Sequence, residues 1–138
     1  MRKIPPCQCG CGLDEIEGET LCIVKLLSIE FPDIIWTSGS RCEKHNKKIG
    51  GSKRSGHRAI WGATGKQTVA TDGTIEPWDN ARVRWIIHRA IQHGANGIGI
   101  YYPLLRRKKK RPSFHLDRKL RIQFWTRGIM GKLKYFFK

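Results

Sequence analysis

The amino-acid sequence predicts a single small α+β domain. Two segments have the apolar spacing of amphipathic helices, and three short apolar runs have the length of strands. Their order along the chain is helix, strand, polar segment, helix, strand, strand. A chain of 138 residues is long enough for one hydrophobic core and short for two. Within this domain, residues 1–13 are expected to form an irregular Cys-, Gly- and Pro-rich arm, and residues 120–138 a basic aromatic tail.

A first amphipathic helix is predicted from Asp14 to about Glu30. Acidic residues cluster at its start, where the helix dipole favours negative charge. Apolar side chains near i, i+3, i+4 spacing are expected to face the core: Ile16, Leu21, Cys22, Val24 and Leu27. The run of residues 34–37, IIWT, then predicts a short buried strand that leads into the polar segment.

A second helix is predicted from Pro77 to His93. Proline is favoured in the first turn, and Gly94 suits the left-handed residue that follows the last turn. Its expected buried side chains are Trp78, Ala81, Trp85, Ile86 and Ala90. Residues 97–102 and 113–117 then predict two strands that can pair as antiparallel neighbours, with the basic run 106–111 in the hairpin loop.

The net charge of +16, from 27 Lys and Arg against 11 Asp and Glu, favours polyanionic partners. Nucleic acid, anionic lipid and anionic cell-wall polymer all fit this charge. No apolar run approaches the roughly 20 residues that span a bilayer, and the N-terminus lacks the apolar middle of a signal peptide. The protein is therefore expected to be synthesised in the cytoplasm without a signal peptide.

Five cysteines exclude a complete set of intramolecular disulfides. Cys7, Cys9 and Cys11 form a C-x-C-x-C cluster, whereas structural zinc sites usually take cysteine pairs spaced by two to four residues. Reduced, partly buried cysteines around a glycine-rich turn are the favoured interpretation, and a zinc knuckle is the alternative.

The polar segment 38–72 and a later strand contain residue types that bind divalent metals. His57 and Asp72 lie in the polar segment, and His115 lies in the predicted strand SFHLD. Histidine and carboxylate are good ligands once a scaffold fixes them. The residues alone do not show which of these side chains converge.

Several short motifs occur in an order that resembles a known family. They are CGCG at 9–12, SGSRC at 38–42, SGH at 55–57, ATD at 70–72, GIGIY at 97–101 and FHLD at 114–117. Over roughly residues 7–125 the chain is similar to the zinc D-Ala-D-Ala carboxypeptidases, and most of all to small phage-encoded members. Relatives of that family include L-alanyl-D-glutamate endolysins and the Hedgehog signalling domain. The resemblance implies a small antiparallel sheet with helices packed on one side.

The resemblance also implies a zinc ion bound by His57, Asp72 and His115. The open fourth position would hold a water whose pKa the metal lowers. Arg41, after Ser-Gly-x, would bind a substrate carboxylate or a polarised carbonyl. His45, Asn46 and Cys42 would support the loop that carries Arg41.

Two features depart from the family pattern. The aspartate usually follows the first histidine by seven residues, whereas Asp72 follows His57 by fifteen, so the intervening loop is expected to leave the sheet and return. Many relatives carry an acid three residues before the late histidine, where this chain has Pro112. Asp117 lies on the same side of a strand as His115, so it is either the general base or a partner that orients His115.

The sequence therefore predicts a zinc-dependent peptidase that cleaves peptidoglycan stem peptides with a metal-activated water. D-Ala-D-Ala carboxypeptidase and L-Ala-D-Glu endopeptidase activity both remain open. The alternative is a basic nucleic-acid- or polyanion-binding module, including an inactive member of the same fold. The protein is expected to be a monomer that acts in the bacterial cell wall or periplasm after release or phage delivery. Arg106–Arg111 and the tail would contact an anionic envelope polymer or lipid, with nucleic acid less favoured.

Overall fold

A computed structural model of the protein describes residues 3–102, 111–119 and 123–127. These residues form an α+β domain, which confirms the predicted fold class. The elements in chain order are α1 (Gly18–Glu30), β1 (Ile35–Ser38), α2 (Glu43–Lys48), β2 (Ala70–Thr74), α3 (Asn80–Gln92), β3 (Gly97–Tyr101), β4 (Ser113–Asp117) and β5 (Gln123–Arg127).

The five strands form one sheet in the order β1-β2-β4-β3-β5. Each adjacent pair among β1, β2, β4 and β3 is antiparallel, and β5 runs parallel to β3. The central strand β4 therefore pairs with β2 on one side and with β3 on the other. Asp72 and Gly99 are both register partners of His115.

The two faces of the sheet differ in chemistry because side chains alternate along each strand. One face carries the hydrophobic core, where Trp36, Ile98 and Phe114 pack with buried side chains of α1 and α3. The opposite face carries Asp72 and His115, together with the other strand residues whose side chains alternate to that face. The helical layer thus stabilises the sheet from one side and leaves the other side for the polar residues.

The first helix is shorter than predicted and buries a partly different stripe. It begins at Gly18 rather than Asp14, because residues 15–17 are extended and hydrogen-bond to Thr68. Its buried side chains are Thr20, Ile23, Val24 and Leu27. The prediction was correct for Val24 and Leu27 and wrong for Leu21 and Cys22, which are both exposed.

The second long helix begins at Asn80, three residues later than predicted. The carboxylate of Asp79 accepts hydrogen bonds from the backbone N–H groups of residues 81 and 82 and so caps the first turn. Val83, Ile86, Ile87 and Ala90 are buried, so the prediction was wrong for the exposed residues Ala81 and Trp85. Gly94 has a φ of +111°, which confirms the left-handed residue after the helix.

The predicted pairing of β3 with β4 is confirmed. The predicted basic loop lies mostly in residues 103–110, outside the described part of the chain; Arg111 pairs with Glu76 over 2.8 Å. Most of the predicted tail also lies outside the described residues, but residues 123–127 form β5, a strand that was not predicted. None of the described helices is long and apolar enough to cross a membrane.

The N-terminal arm packs against the body of the domain although residues 3–13 lack helix and strand. Ile4 and Cys7 are buried. The side-chain amide of Gln8 donates to the carbonyl of Thr37 over 2.6 Å. The arm therefore lies beside the end of β1 and the loop that follows it.

Candidate metal centre

The structure brings together the three side chains predicted to bind metal. Asp72 on β2 and His115 on β4 are register partners, and His57 reaches them from the long loop between α2 and β2. One possible ligand atom from each of the three lies within 4.8 Å of the others. Their assignment as zinc ligands stays a prediction, while their proximity is a property of the fold.

The distances within this triad are short. Nε2 of His57 lies 3.1 Å from Nδ1 of His115 and 3.2 Å from Oδ2 of Asp72. Oδ1 of Asp72 lies 2.9 Å from Nδ1 of His115. Zinc–ligand bonds of about 2.0–2.1 Å in a tetrahedral site separate donor atoms by roughly 3.3 Å. The three separations are therefore close to those of a zinc site.

Each histidine is held by its other ring nitrogen. Nδ1 of His57 lies 2.7 Å from the carbonyl oxygen of Gly39, and Nε2 of His115 lies 3.0 Å from Oδ2 of Asp117. A carbonyl and a carboxylate only accept hydrogen bonds, so both outer nitrogens carry protons. In the metal-binding form, in which both rings are neutral, the remaining ring nitrogens would direct their lone pairs toward each other and toward Asp72.

Two lone pairs and a carboxylate facing one point repel one another unless a cation or proton lies between them. Burial opposes the charged form of His115, but hydrogen bonds to Asp117 and Asp72 raise the pKa of His115 to about 9. Burial also opposes ionisation of Asp72, yet the two imidazoles hold the pKa of its carboxyl well below its usual range. The donor set therefore fits a divalent metal, and a proton on His115 serves in its place when none is bound.

The long loop between His57 and Asp72 leaves the sheet and returns, as the sequence predicted. Trp61 and Gln67 exchange two backbone hydrogen bonds at the neck of this excursion. The chain rejoins the domain where the N–H of Val69 donates to the carbonyl of Gly56. The extra residues are thus accommodated in a hairpin-like projection, and the two ligand candidates remain adjacent.

Arg41 lies at the start of the segment that supports His57. Its backbone N–H donates to the carbonyl of His57 over 2.8 Å, and its Nη1 lies 3.2 Å from Oδ1 of Asn46. Asn46 is buried and also donates to the carbonyl of Ser52. The structure thus gives Asn46 a supporting contact with Arg41, and Cys42 caps α2 by accepting from the N–H of His45.

Asp117 is buried on the outer side of His115, next to the ring nitrogen that points away from His57 and Asp72. Its Oδ2 accepts from Nε2 of His115, and its Oδ1 accepts from the backbone N–H of Lys119 over 3.1 Å. A Cβ at Gly97 would overlap this carboxylate, so the glycine makes room for it. Of the two roles predicted for Asp117, these contacts support the one that orients His115.

Two supporting groups were not predicted from the sequence. The first is the carbonyl of Gly39, which fixes the ring of His57. The second is the hydroxyl of buried Thr68, which donates a hydrogen bond to the carbonyl of His57 over 3.0 Å. A backbone carbonyl has no side-chain signature. The position of Thr68 depends on its pairing with residues 15–17, which lie far away in the sequence.

Comparison with known proteins gives one match. The family model described as Peptidase M15 matches residues 8–103, which is well over half of the chain. The matched range includes His57 and Asp72 and ends before β4, which carries His115. A search of curated proteins and a search of solved structures found no match.

Proposed function

Because the chain belongs to the peptidase M15 family, whose members are zinc-dependent peptidases, we propose that it hydrolyses the stem peptides of bacterial peptidoglycan. The inward-facing donor set carries this proposal. His57, Asp72 and His115 present three metal-binding atoms within 4.8 Å of one another. Bound zinc supplies Lewis-acid chemistry, which polarises a peptide carbonyl and favours ionisation of water near neutral pH.

The protein supplies orientation and charge around this donor set. The carbonyl of Gly39 and the carboxylate of Asp117 hydrogen-bond the outer nitrogens of the two imidazole rings and so orient their other nitrogens toward the donor set. Asp72 contributes the negative charge. The backbone N–H of Arg41 is hydrogen-bonded to the carbonyl of His57. We propose that its guanidinium, which is held by Asn46, donates to a substrate carboxylate or carbonyl.

A stem peptide suits a basic protein of this kind. Stem peptides contain free carboxylates and belong to an envelope rich in anionic polymers, and the chain carries a net charge of +16. We propose that Arg106–Arg111 and the C-terminal tail strengthen attraction to that envelope, and that a monomer acts at the cell wall. Arg41 favours a substrate with a carboxylate near the scissile bond, and both the terminal D-Ala-D-Ala bond and the L-Ala-D-Glu bond meet this condition.

The test is hydrolysis of defined stem peptides by zinc-loaded protein. One substrate ends in D-Ala-D-Ala, and the other contains an internal L-Ala-D-Glu bond. Mass spectrometry of the products then shows which bond the protein cuts. His57→Ala and His115→Ala are expected to abolish turnover and to remove zinc from this site. His88→Ala, at an exposed histidine of α3, is the matched control and is expected to leave both unchanged.

Zinc binding without hydrolysis of either substrate would overturn the proposed substrate. A protein that instead retains salt-sensitive nucleic-acid binding in the His57→Ala variant would favour the alternative, a polyanion-binding member of the fold. Charge-neutralising substitutions at Arg106–Arg111 separate these outcomes, because they are expected to weaken polymer attraction while zinc stays bound.

A further inference from the structure

Four of the five cysteines converge on one point although the sequence separates them. Cys7, Cys9 and Cys11 come from the N-terminal arm, and Cys42 lies just before α2. Their four Sγ atoms all lie within 4.8 Å of one another. This group and the His57 triad are the two clusters of metal-binding side chains in the described part of the chain.

The sulfur separations suit a shared metal ion better than a disulfide. Sγ of Cys9 lies 3.5 Å from Sγ of Cys7 and 3.5 Å from Sγ of Cys42. A disulfide requires about 2.05 Å between the sulfurs. Four thiolates around zinc, at a Zn–S distance of about 2.3 Å, lie roughly 3.8 Å apart in a tetrahedron. The cysteine side chains thus already face one another at close to the spacing of a tetrathiolate site.

Backbone N–H groups point at these sulfurs, as they do around thiolates that carry negative charge. Sγ of Cys7 accepts from the N–H of Cys42 at 3.4 Å, and Sγ of Cys42 accepts from the N–H of His45 at 3.3 Å. Gly10 and Gly12 have φ values of +87° and +81°, which allow the arm to fold back around its own cysteines. Neutral thiols need no such set of donors, because they are weak acceptors.

We propose that Cys7, Cys9, Cys11 and Cys42 bind a second, structural zinc ion. Four thiolates and one zinc carry a net charge of −2, which a chain of net charge +16 readily accommodates. With four protein ligands the site has no open position, so it stabilises structure rather than carrying out chemistry.

The location of the site gives it a role in the architecture. Cys42 follows Arg41 and caps α2, and the segment just before it provides the Gly39 carbonyl that orients His57. A metal shared between the arm and Cys42 therefore fixes the arm to the loop that supports the His57 triad. Ile4 already packs beneath that loop, since a Cβ at Gly39 would overlap its side chain. The second zinc thus holds in place the loop that contains Gly39 and Arg41, without contacting substrate.

Metal stoichiometry tests this proposal independently of catalysis. Protein purified under reducing conditions and supplied with zinc alone is expected to bind two ions per chain. The His57→Ala/His115→Ala double variant is expected to keep one, and Cys7→Ser/Cys42→Ser is expected to keep the other. Cys22→Ser is the matched control, because Cys22 is exposed and lies outside the cluster; it is expected to bind two.

The double histidine variant keeps the proposal testable even if the cysteine variant does not fold. Cobalt supplied to that variant is expected to give intense sulfur-to-metal charge-transfer absorption and tetrahedral ligand-field bands. Zinc is expected to raise its Tm and to protect four of the five cysteines from alkylation. The proposal is overturned if the double histidine variant binds no zinc, or if the bound cobalt shows no thiolate signature. Failure of peptide hydrolysis would leave these results unaffected.

Discussion

The carboxylate of Asp117 accepts a hydrogen bond from Nε2 of His115 over 3.0 Å, on the side of the ring opposite the nitrogen that faces His57 and Asp72. Two residues apart on β4, the two side chains point to the same face of the sheet. The interaction selects the tautomer in which Nδ1 of His115 carries the lone pair. Asp117 is therefore placed to influence the candidate metal centre by orienting His115, without contacting the metal itself.

Asp117→Ala is therefore expected to weaken zinc binding at the His57 triad by about 10–100-fold, the usual effect of losing a group that orients a metal-binding histidine. The measurement is the zinc dissociation constant from competition with a chelator dye. A general base would behave differently, since its loss leaves zinc affinity intact and lowers only kcat. Unchanged affinity with lost turnover would therefore contradict the orienting role.

Gly97→Ala tests the same interaction without removing a charge. The added Cβ would overlap the carboxylate of Asp117, so the aspartate must move away from His115. The expected result is a loss of zinc affinity in the same direction as that of Asp117→Ala. Gly18→Ala is the matched control, because a Cβ at Gly18 meets nothing within 4 Å.

Asn46→Ala is expected to raise KM for stem peptides while zinc remains bound. Asn46 accepts a hydrogen bond from the guanidinium of Arg41. Such bonds to charged groups contribute about 1.5–3 kcal/mol, equivalent to roughly 10–150-fold in an equilibrium constant. Steady-state kinetics with metal analysis checks this result. Lys47→Ala, at an exposed position of the same helix, is expected to change neither quantity.

An effect of Asn46→Ala on zinc content would contradict this assignment. It would mean that Asn46 supports the whole loop around His57 rather than Arg41. Its hydrogen bond to the carbonyl of Ser52 gives a physical route for that outcome, so the metal analysis is the decisive part of the experiment.

The sequence predicted the fold class and the residues of the triad because their signals are local or carried by motifs. The strand that carries His115 was predicted, whereas β2, which carries Asp72, was not; the pairing of β2 with β4 makes the two residues register partners. The segment between His57 and Asp72 was expected to leave the sheet and return, and the structure confirms this. The binding of zinc by the three residues stays a prediction.

The parts that sequence reasoning missed depend on contacts between distant segments. On α1 the i, i+3, i+4 pattern permits more than one apolar stripe, and contact with the sheet selects Thr20, Ile23 and Leu27 over Leu21. The approach of Cys42 to the arm has the same origin. A C-x-C-x-C motif alone is a poor zinc site. The fourth cysteine joins the cluster only because the loop after β1 packs against the arm.

The ion pairs between α1 and α3 lead to a prediction about acid stability. Glu30, the last residue of α1, lies 2.5 Å from Nε of Arg89 and 2.6 Å from Nε2 of His93. Hydrogen bonds from Arg89 and His93 lower the pKa of Glu30 to about 2, from 4.5 in an unfolded chain. A carboxylate with a depressed pKa in the folded state stabilises the fold above its unfolded pKa, and this contribution is lost as the pH falls.

Glu30→Gln is accordingly expected to lower Tm near neutral pH, and the difference from wild type is expected to shrink as the pH falls from about 4.5 toward 2. The side chain is partly exposed, so salt is expected to reduce the difference as well. Thermal unfolding should be followed with a chelator present, so that loss of metal in acid does not contribute. Glu43→Gln is the control, because Glu43 is largely exposed and only 3.9 Å from Arg58, and it is expected to have little effect at any pH. A Tm difference for Glu30→Gln that persists unchanged at the acid end would show that the side chain acts through packing rather than through its charge.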